Sequence, residues 1–201
     1  MITIVDYGLG NLGSIKNMFD YIGVEAEITN HLDKINLAKK IILPGVGKFD
    51  TAMSRINQNG LRNLLDYKAL KEEVPILGIC LGMQLLTNQS EEGSLMGLGW
   101  IDASVKKFQS SKDLKVPHMG WNNVEPSCSN SLINNLTEES RFYFVHSYYV
   151  KTNNIKNSLF KTFYGHNFDS GIFNKNIYGV QFHPEKSHKF GMKFLEQFAK
   201  I

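Results

Sequence analysis

The stretch VPILGICLGMQLL, residues 74–86, carries the strongest indication of how this chain folds. Its apolar first half predicts a buried strand, and the residues after Cys80 predict the first turn of a helix. Gly78 and Gly82 lie two positions before and after Cys80, as small residues do in the G-x-S-x-G turn that exposes a nucleophile between a strand and a helix. A helix N-terminus favours a thiolate. The alternative interpretation is a buried structural cysteine.

The rest of the N-terminal half alternates between predicted strands and helices. Such alternation favours a parallel sheet with helices on both faces. Apolar runs predict the strands, and apolar residues at helical spacing predict the helices. The strands are predicted at 2–6, 26–29 and 40–45, and the helices at 11–22 and over 49–73 with a break near Asn59-Gly60.

The second half is rich in short aromatic segments with partial alternation, which predict strands separated by turns. A final amphipathic helix is predicted at 187–200, with Phe190, Phe194, Leu195 and Phe198 on one face. Because no segment is long enough for a linker, we expect one α/β domain over 1–201, with a mixed, largely parallel sheet flanked by helices. The predicted strand segments are GWIDASVKKF, VPHMGWNNV, RFYFVHSYYV, SLFKTFY, DSGIFN and NIYGVQF.

Composition and charge limit the possible functions of the chain. The 201 residues carry a net charge of +3 without a basic cluster, so neither nucleic acid nor a membrane surface is an expected partner. The start MITIVDYGLGN lacks the pattern of a signal peptide, and we expect a cytoplasmic protein. Cys80 and Cys128 are therefore expected as free thiols, with Cys128 in a surface loop. Histidines and cysteines do not cluster at metal-ligand spacing, so no metal is expected.

A glycine-rich segment, GLGNLG at 8–13, follows a predicted strand and opens a predicted helix. It matches the dinucleotide pattern G-x-G-x-x-G, which also needs an acidic residue at the end of the second strand. Here Glu27 lies inside that strand, which ends in Thr29-Asn30-His31. We therefore interpret the segment as a tight turn near a functional edge, and we expect no cofactor.

A cysteine nucleophile needs a base, and His183 is the best placed of the six histidines. It closes the apolar run IYGVQF, Pro184 stops the strand, and Glu185 is close enough to orient the imidazole. Cys80 and His183 both end predicted strands, where ligands collect in parallel sheets. The other histidines are expected to be solvated at His31, His166 and His188, and to lie in the core at His118 and His146.

The motifs GICLGMQLL and GVQFHPE resemble the signature of the class I, triad-type glutamine amidotransferases, in that family's order. Within the class, DYGLGNLGSI, LPGVGKF, VPHMGWN and FYFVHSYYV are similar to the glutaminase subunits of imidazole glycerol phosphate synthase, an enzyme of histidine biosynthesis. These motifs run from residue 4 to residue 186. The resemblance implies a flavodoxin-like fold.

The resemblance also implies roles for individual residues. Cys80 would attack the side-chain amide of glutamine, His183 would protonate the departing ammonia, and Glu185 would hold the imidazole. Glutamine would be gripped by Gln84 and by Glu92, for which Glu91 is a rival. The oxyanion hole would be formed by the amide of Leu81 and a second amide at Val46 or Gly47. The glutamine pocket would be completed by the backbone of His146, Ser147 and Tyr148.

The resemblance further implies a partner that receives the ammonia, a (β/α)8-barrel cyclase bound as a heterodimer. Asn11, Trp121, Tyr143 and Lys186 match positions that face this partner in the family. Three alternatives stay open at this point. The chain could be a paralogue that supplies ammonia for bacterial surface-sugar biosynthesis, a cysteine peptidase or amidase on the same fold, or a non-catalytic binding module.

Overall fold

The computed structural model describes residues 1–112, 114–137 and 139–201. Strands and helices alternate in its first half, and strands dominate the second. In chain order the elements are β1 Ile2–Val5, α1 Leu12–Tyr21, β2 Ala26–Thr29, α2 Leu32–Leu37, β3 Ile41–Leu43, α3 Phe49–Ile56, α4 Leu61–Leu70, β4 Ile76–Ile79, α5 Leu81–Leu85, β5 Gln89–Ser90, β6 Ala103–Lys107, β7 His118–Asn123, β8 Glu125–Pro126, β9 Arg141–His146, β10 Tyr148–Thr152, β11 Ser158–Tyr164, β12 His166–Asn174, β13 Ile177–Val180 and α6 His188–Lys200.

The main sheet has a parallel core and an antiparallel extension. The neighbouring strands β2, β1, β3, β4 and β13 are all parallel. The sheet continues in antiparallel pairs through β12, β10 and β6, and the short β5 then pairs with β6 in parallel. Strand β11 joins β12 and β8, while β7 and β9 form a separate antiparallel pair. This arrangement confirms the expected mixed, largely parallel sheet flanked by helices.

Helices cover both faces of the parallel core. On one face, Ile4 of β1 packs in a cluster with Phe19 of α1 and Phe194 of α6. On the other face, Met53 of α3 and Leu65 of α4 belong to a second buried cluster. Each such side chain contributes about 1.5–3 kcal/mol when it is fully buried. No helix in the described ranges is long and apolar enough to cross a membrane.

Three adjacent parallel strands, β3, β4 and β13, bring their carboxyl ends to one edge of the sheet. The register aligns Ile79 with Val180, so the residues that follow β4 and β13 are neighbours although they are distant in sequence. The segment after β3, residues 44–47, lies on the other side of β4. Ligands bind at such edges because every loop there faces the same crevice.

Several sequence-based predictions need correction. The segment RFYFVHSYYV is not one strand, because β9 pairs with β7 while β10 pairs with β6 and β12, and Ser147 links the two sheets. The helix predicted to begin after Cys80 is present but short, covering Leu81–Leu85. Helix α2 was not predicted, since its six residues are too few to display a helical period. The final helix is present, and Phe190 on its apolar face is only partly buried.

Candidate active site

Cys80 occupies the turn between β4 and α5. Its backbone has φ +55° and ψ −109°, a conformation that non-glycine residues rarely adopt and that is associated with functional turns. The backbone is held by a hydrogen bond from its N–H to the Val180 carbonyl, at 2.8 Å. A β-carbon on Gly78 would lie 2.6 Å from the carbonyl oxygen of Gly82, and one on Gly82 would collide with the carbonyl oxygen of Leu43, so both flanking glycines are needed for this turn. The side chain of Cys80 lines a cavity of about 390 Å³.

His183 follows β13 and faces the same cavity. Its backbone N–H donates to the Tyr143 carbonyl at 2.9 Å, and Pro184 opens a 3₁₀ helix behind it. The ring Nδ1 lies 2.8 Å from Oε1 of Glu185, and both side chains are almost completely buried. Nε2 of His183 has no hydrogen-bond partner among the described residues, which leaves it available to a group in the cavity.

The protonation of His183 follows from its neighbours. Burial lowers the pKa of the ring, but the interactions with neighbouring Cys80 and with the hydrogen-bonded carboxylate of Glu185 outweigh burial and raise the pKa to about 10. The ring is therefore protonated at neutral pH. A protonated imidazole that faces a cavity can serve there as a proton donor.

The cavity gathers most of the residues predicted to act on a ligand. It is lined by Cys80, by His183 and by every residue predicted for the oxyanion hole and for glutamine binding. Glu185 does not line the cavity and contacts His183 from the other side of the ring. The cavity also includes Lys186, which was predicted for the partner interface, and two residues that were not predicted, Pro117 and Val145. The full lining is Val46, Gly47, Cys80, Leu81, Gln84, Glu92, Pro117, Val145, His146, Ser147, Tyr148, His183 and Lys186.

The structure separates the two rival acidic residues. The carboxylate of Glu92 lines the cavity and accepts a hydrogen bond from the Phe49 N–H at 3.0 Å. The carboxylate of Glu91 turns toward β6, where it accepts from the Lys107 N–H at 2.7 Å and pairs with Lys106. These contacts, the backbone bond first, lower the pKa of Glu91. Only Glu92 is placed to meet a ligand.

The predicted oxyanion segment is closed in this conformation. The Leu81 N–H donates to the Gly45 carbonyl at 3.3 Å instead of pointing freely into the cavity. Val46 is 42% exposed, and Gly47 has φ +104°, which favours glycine. The hydroxyl of buried Tyr7 donates to the Pro44 carbonyl and holds the start of the segment. An oxyanion could bind Leu81 only after the Gly45 carbonyl turns away.

Gln181 is a site residue that was not predicted from the sequence. Its side chain is fully buried, its Nε2 lies 3.7 Å from Sγ of Cys80, and its Oε1 accepts from Nε2 of Gln84 at 3.0 Å. Gln84 also donates to the Tyr148 carbonyl at 3.2 Å. The sequence feature that could have indicated Gln181 is its polar amide directly after the apolar run IYGV, since buried amides need specific hydrogen-bond partners.

Three of the four residues predicted to face a partner share one surface patch. The rings of Trp121 and Tyr143 are 6.3 Å apart, and Nζ of Lys186 lies 5.7 Å from the centre of the Tyr143 ring. Trp121 is 43% exposed. Asn11 lies at the N-terminus of α1, which packs beside the 3₁₀ helix that contains Lys186. Aromatic side chains such as those of Trp121 and Tyr143 are enriched in protein interfaces.

The remaining histidines and cysteine mostly follow expectation. His118 and His146 are buried, and the other three are exposed: His31, His166 and His188. Cys128 lies in a loop after β8, as predicted, but its side chain is partly buried against the core. This burial raises the pKa of the Cys128 thiol, which makes it a weak nucleophile.

Comparison with known proteins adds the family context. The family described as "Glutamine amidotransferase class-I" matches residues 3–201. A protein of Methanococcus maripaludis named imidazole glycerol phosphate synthase subunit HisH 2 is 58% identical over 100% of this chain and 99% of its own length. Relatives named subunit HisH in Bdellovibrio bacteriovorus and subunit HisH 2 in Pseudomonas aeruginosa are 47% and 43% identical, with full coverage of both chains.

Solved structures with the same fold are more distant. A putative GMP synthase subunit of Thermoplasma acidophilum superposes with a TM-score of 0.71 at 21% identity, covering 99% of this chain and 92% of the other. PurLQS of Thermotoga maritima gives a TM-score of 0.71 at 18% identity, covering 99% and 97%. At such identities the likeness establishes the fold alone.

Proposed function

Since the chain belongs to the class I glutamine amidotransferase family, we propose that it is the glutaminase subunit of an imidazole glycerol phosphate synthase. The observation that carries this function is the 58% identity, over the full length of the chain, to a relative bearing that name. The chain would hydrolyse glutamine to glutamate and ammonia, and the ammonia would enter histidine biosynthesis through a partner subunit.

The first half of the reaction uses Cys80 and His183 at the sheet edge. The Cys80 thiolate attacks the side-chain carbonyl carbon of glutamine, and the protonated His183 donates its Nε2 proton to the leaving nitrogen as the C–N bond breaks. Glu185 accepts the Nδ1–H of His183 at 2.8 Å and so keeps Nε2 directed at the cavity. Ammonia leaves, and a thioester remains on Cys80.

The second half releases glutamate. Water attacks the thioester while His183, now neutral, accepts a proton through Nε2, and the thiolate departs. Both tetrahedral states carry an oxyanion, for which we assign the Leu81 amide and a second amide at Val46 or Gly47. Because the Leu81 N–H is bonded to Gly45 at 3.3 Å in this conformation, we expect low activity until that segment reorients.

The remaining assignments concern the substrate and the partner. Gln84, Glu92 and the backbone of His146, Ser147 and Tyr148 would hold the amino-acid end of glutamine. The relatives are named as subunits, and for this chain we propose a heterodimer with a (β/α)8-barrel cyclase. The cyclase would cover the patch formed by Trp121, Tyr143 and Lys186 together with Asn11.

The test is a cyclase assay in which glutamine or ammonium supplies the nitrogen, with this chain added or withheld. We expect glutamine to support product formation only when the chain is present, and ammonium to support it in both cases. Cys80→Ala should abolish the glutamine-dependent rate and preserve the ammonium-dependent rate, whereas the control Cys128→Ala should preserve both. A chain that gives no glutamine-dependent rate with the cyclase contradicts the proposal.

A paralogous glutaminase that serves another ammonia acceptor is the second candidate. The observation that favours it is the number in two relatives' names, HisH 2 in Methanococcus maripaludis and in Pseudomonas aeruginosa. Growth of a histidine auxotroph that lacks its own glutaminase subunit distinguishes the two functions. Rescue supports the histidine pathway, and failure of an enzyme that still hydrolyses glutamine supports the paralogue.

A further inference from the structure

We propose that His118 is a positioning residue for glutamine binding, acting through His146 on the Ser147–Tyr148 backbone that lines the cavity. The inference rests on the proposed glutaminase function. His118 does not line the cavity. Its effect on a ligand would therefore be transmitted by the hydrogen bonds that connect it to the cavity wall.

The direction of these hydrogen bonds follows from their chemistry. Nδ1 of His146 lies 2.7 Å from the Tyr148 carbonyl oxygen, which can only accept, so Nδ1 carries the proton. In a neutral ring Nε2 is then an acceptor. That atom lies 2.9 Å from Nδ1 of His118, which must therefore donate to it. If the proton of His146 were on Nε2 instead, Nδ1 would be an acceptor facing the Tyr148 carbonyl oxygen, which is also an acceptor.

The outer end of the chain of hydrogen bonds is fixed in the same way. With its proton on Nδ1, His118 presents an acceptor at Nε2, 3.2 Å from Nδ2 of Asn122. The same amide nitrogen donates to the Phe163 carbonyl at 3.0 Å, and the amide oxygen accepts from the Asn123 N–H at 2.8 Å. Both the nitrogen and the oxygen of the Asn122 amide thus have hydrogen-bond partners in one orientation of the group. The series of hydrogen bonds runs from Asn122 through the two histidine rings to Tyr148.

Burial keeps both rings neutral, as this arrangement requires. Burial lowers the pKa of His118 to about 4 and that of His146 to about 3. Each ring therefore carries a single proton at neutral pH, and only one placement of those two protons satisfies every partner. A ring with a different proton position would leave a buried polar atom unpaired, which is costly.

The inner end of the chain is part of the glutamine pocket. The Tyr148 carbonyl accepts from His146 and also from Nε2 of Gln84, at 3.2 Å. Ser147 belongs to neither strand β9 nor strand β10, and the bond from His146 to Tyr148 closes the backbone around it. The hydrogen-bonded rings thus hold the backbone between β9 and β10 in the shape that the cavity requires.

A packing role is the competing explanation, because His118 also stacks on Phe144 and Tyr164 at centroid distances of 4.8 and 4.0 Å. Two variants separate the explanations. His118→Phe keeps a stacked ring and removes the donor, whereas His118→Asn places an amide nitrogen near the Nδ1 position and removes the ring. Tyr164→Phe is the matched control, since it keeps the stacking and loses only the hydroxyl bond to the Lys115 carbonyl.

The experiment is glutaminase kinetics in the presence of the cyclase. We expect His118→Phe to raise KM for glutamine about tenfold with kcat changed less than about threefold, and His118→Asn to restore KM to within about threefold of the wild type. Tyr164→Phe should match the wild type. An unchanged KM in His118→Phe overturns the inference while the wild type remains active. A wild type that does not hydrolyse glutamine overturns the proposed function and this inference with it.

A second measurement does not depend on the folding of any variant. Histidine ¹⁵N NMR of the wild-type chain distinguishes a protonated Nδ1 from a protonated Nε2. We expect both His118 and His146 to carry the proton on Nδ1 at neutral pH. Observation of the Nε2–H form for His146 would overturn the proposal.

Discussion

Replacing Gly78 by alanine is expected to destabilise the chain and to impair its chemistry through a purely steric effect. A β-carbon at this position would lie 2.6 Å from the Gly82 carbonyl oxygen, 2.7 Å from the Gly82 carbonyl carbon and 2.8 Å from the Met83 nitrogen. All three atoms belong to the backbone of α5, so no side-chain rotation relieves the contact. The first turn of the helix must move away from β4.

The size of the effect follows from these distances. Ordinary contacts of a β-carbon begin at 3.4 Å, so the helix turn must shift by roughly 0.6 to 0.8 Å. Overpacking of this kind costs about 1–3 kcal/mol, and we expect about 2–3 kcal/mol because backbone is displaced. For a domain of this size that corresponds to a fall in Tm of about 4–12 °C. The same shift moves Cys80 and Leu81, so kcat should fall about 10- to 100-fold.

Urea unfolding followed by circular dichroism measures the stability, and glutamine hydrolysis with the cyclase measures the activity. The matched control is Gly13→Ala in α1, where a β-carbon meets no atom within 4 Å. That exposed helical substitution should stabilise the chain by about 0.5–1 kcal/mol and leave activity unchanged. A Gly78→Ala chain as stable and as active as the wild type would refute the steric argument.

Three further predictions concern charged groups. Glu185→Gln removes a contact that raises the pKa of His183. An NMR titration should show this pKa at least about one unit lower, and kcat should fall about 10- to 100-fold. An unchanged pKa of His183 in this variant contradicts the prediction. Glu92→Gln should raise KM for glutamine about tenfold, while Glu91→Gln, the control, leaves it unchanged. Burial lowers the pKa of His146 to about 3 and that of His118 to about 4, so the unfolded chain binds extra protons in acid, while His183, with its pKa raised to about 10, acts in the opposite direction. The free energy of unfolding, measured by urea titration, should therefore fall between pH 7 and 5 by a net amount of about 1.4 kcal/mol per pH unit from these three groups.

Local patterns were sufficient for the parallel core and for the turn at Cys80. The apolar run before Cys80, the glycines around it and Pro184 after His183 each act within a few residues. Strand β4 ends directly before Cys80 as predicted, whereas β13 ends at Val180, two residues earlier than predicted. Helices over 49–73 also appear as predicted, with the break at Gly60, which has φ +80°. These features are determined locally because side-chain periodicity and backbone sterics depend on near neighbours.

Other features depend on pairing between distant segments. Nothing in RFYFVHSYYV marks Ser147 as the point where the chain passes from one sheet to another, because both halves have the same aromatic, strand-like composition. The preference for Glu92 over Glu91 arises from the backbone N–H groups that each carboxylate meets, at Phe49 and at Lys107. Neither partner is close to these acids in sequence.

The parallel core, the strained turn at Cys80 and the position of His183 at a neighbouring strand end could all be predicted from the amino-acid order. The contacts between buried polar atoms became known only from the packed chain: Gln181 beside Cys80, His118 against His146, and the Leu81 amide on Gly45. The predictable features depend on residues close together in sequence, whereas the buried polar contacts join residues that are far apart in sequence. Strand and helix formation follow from local periodicity, whereas a hydrogen bond between buried side chains exists only after the sheets have packed.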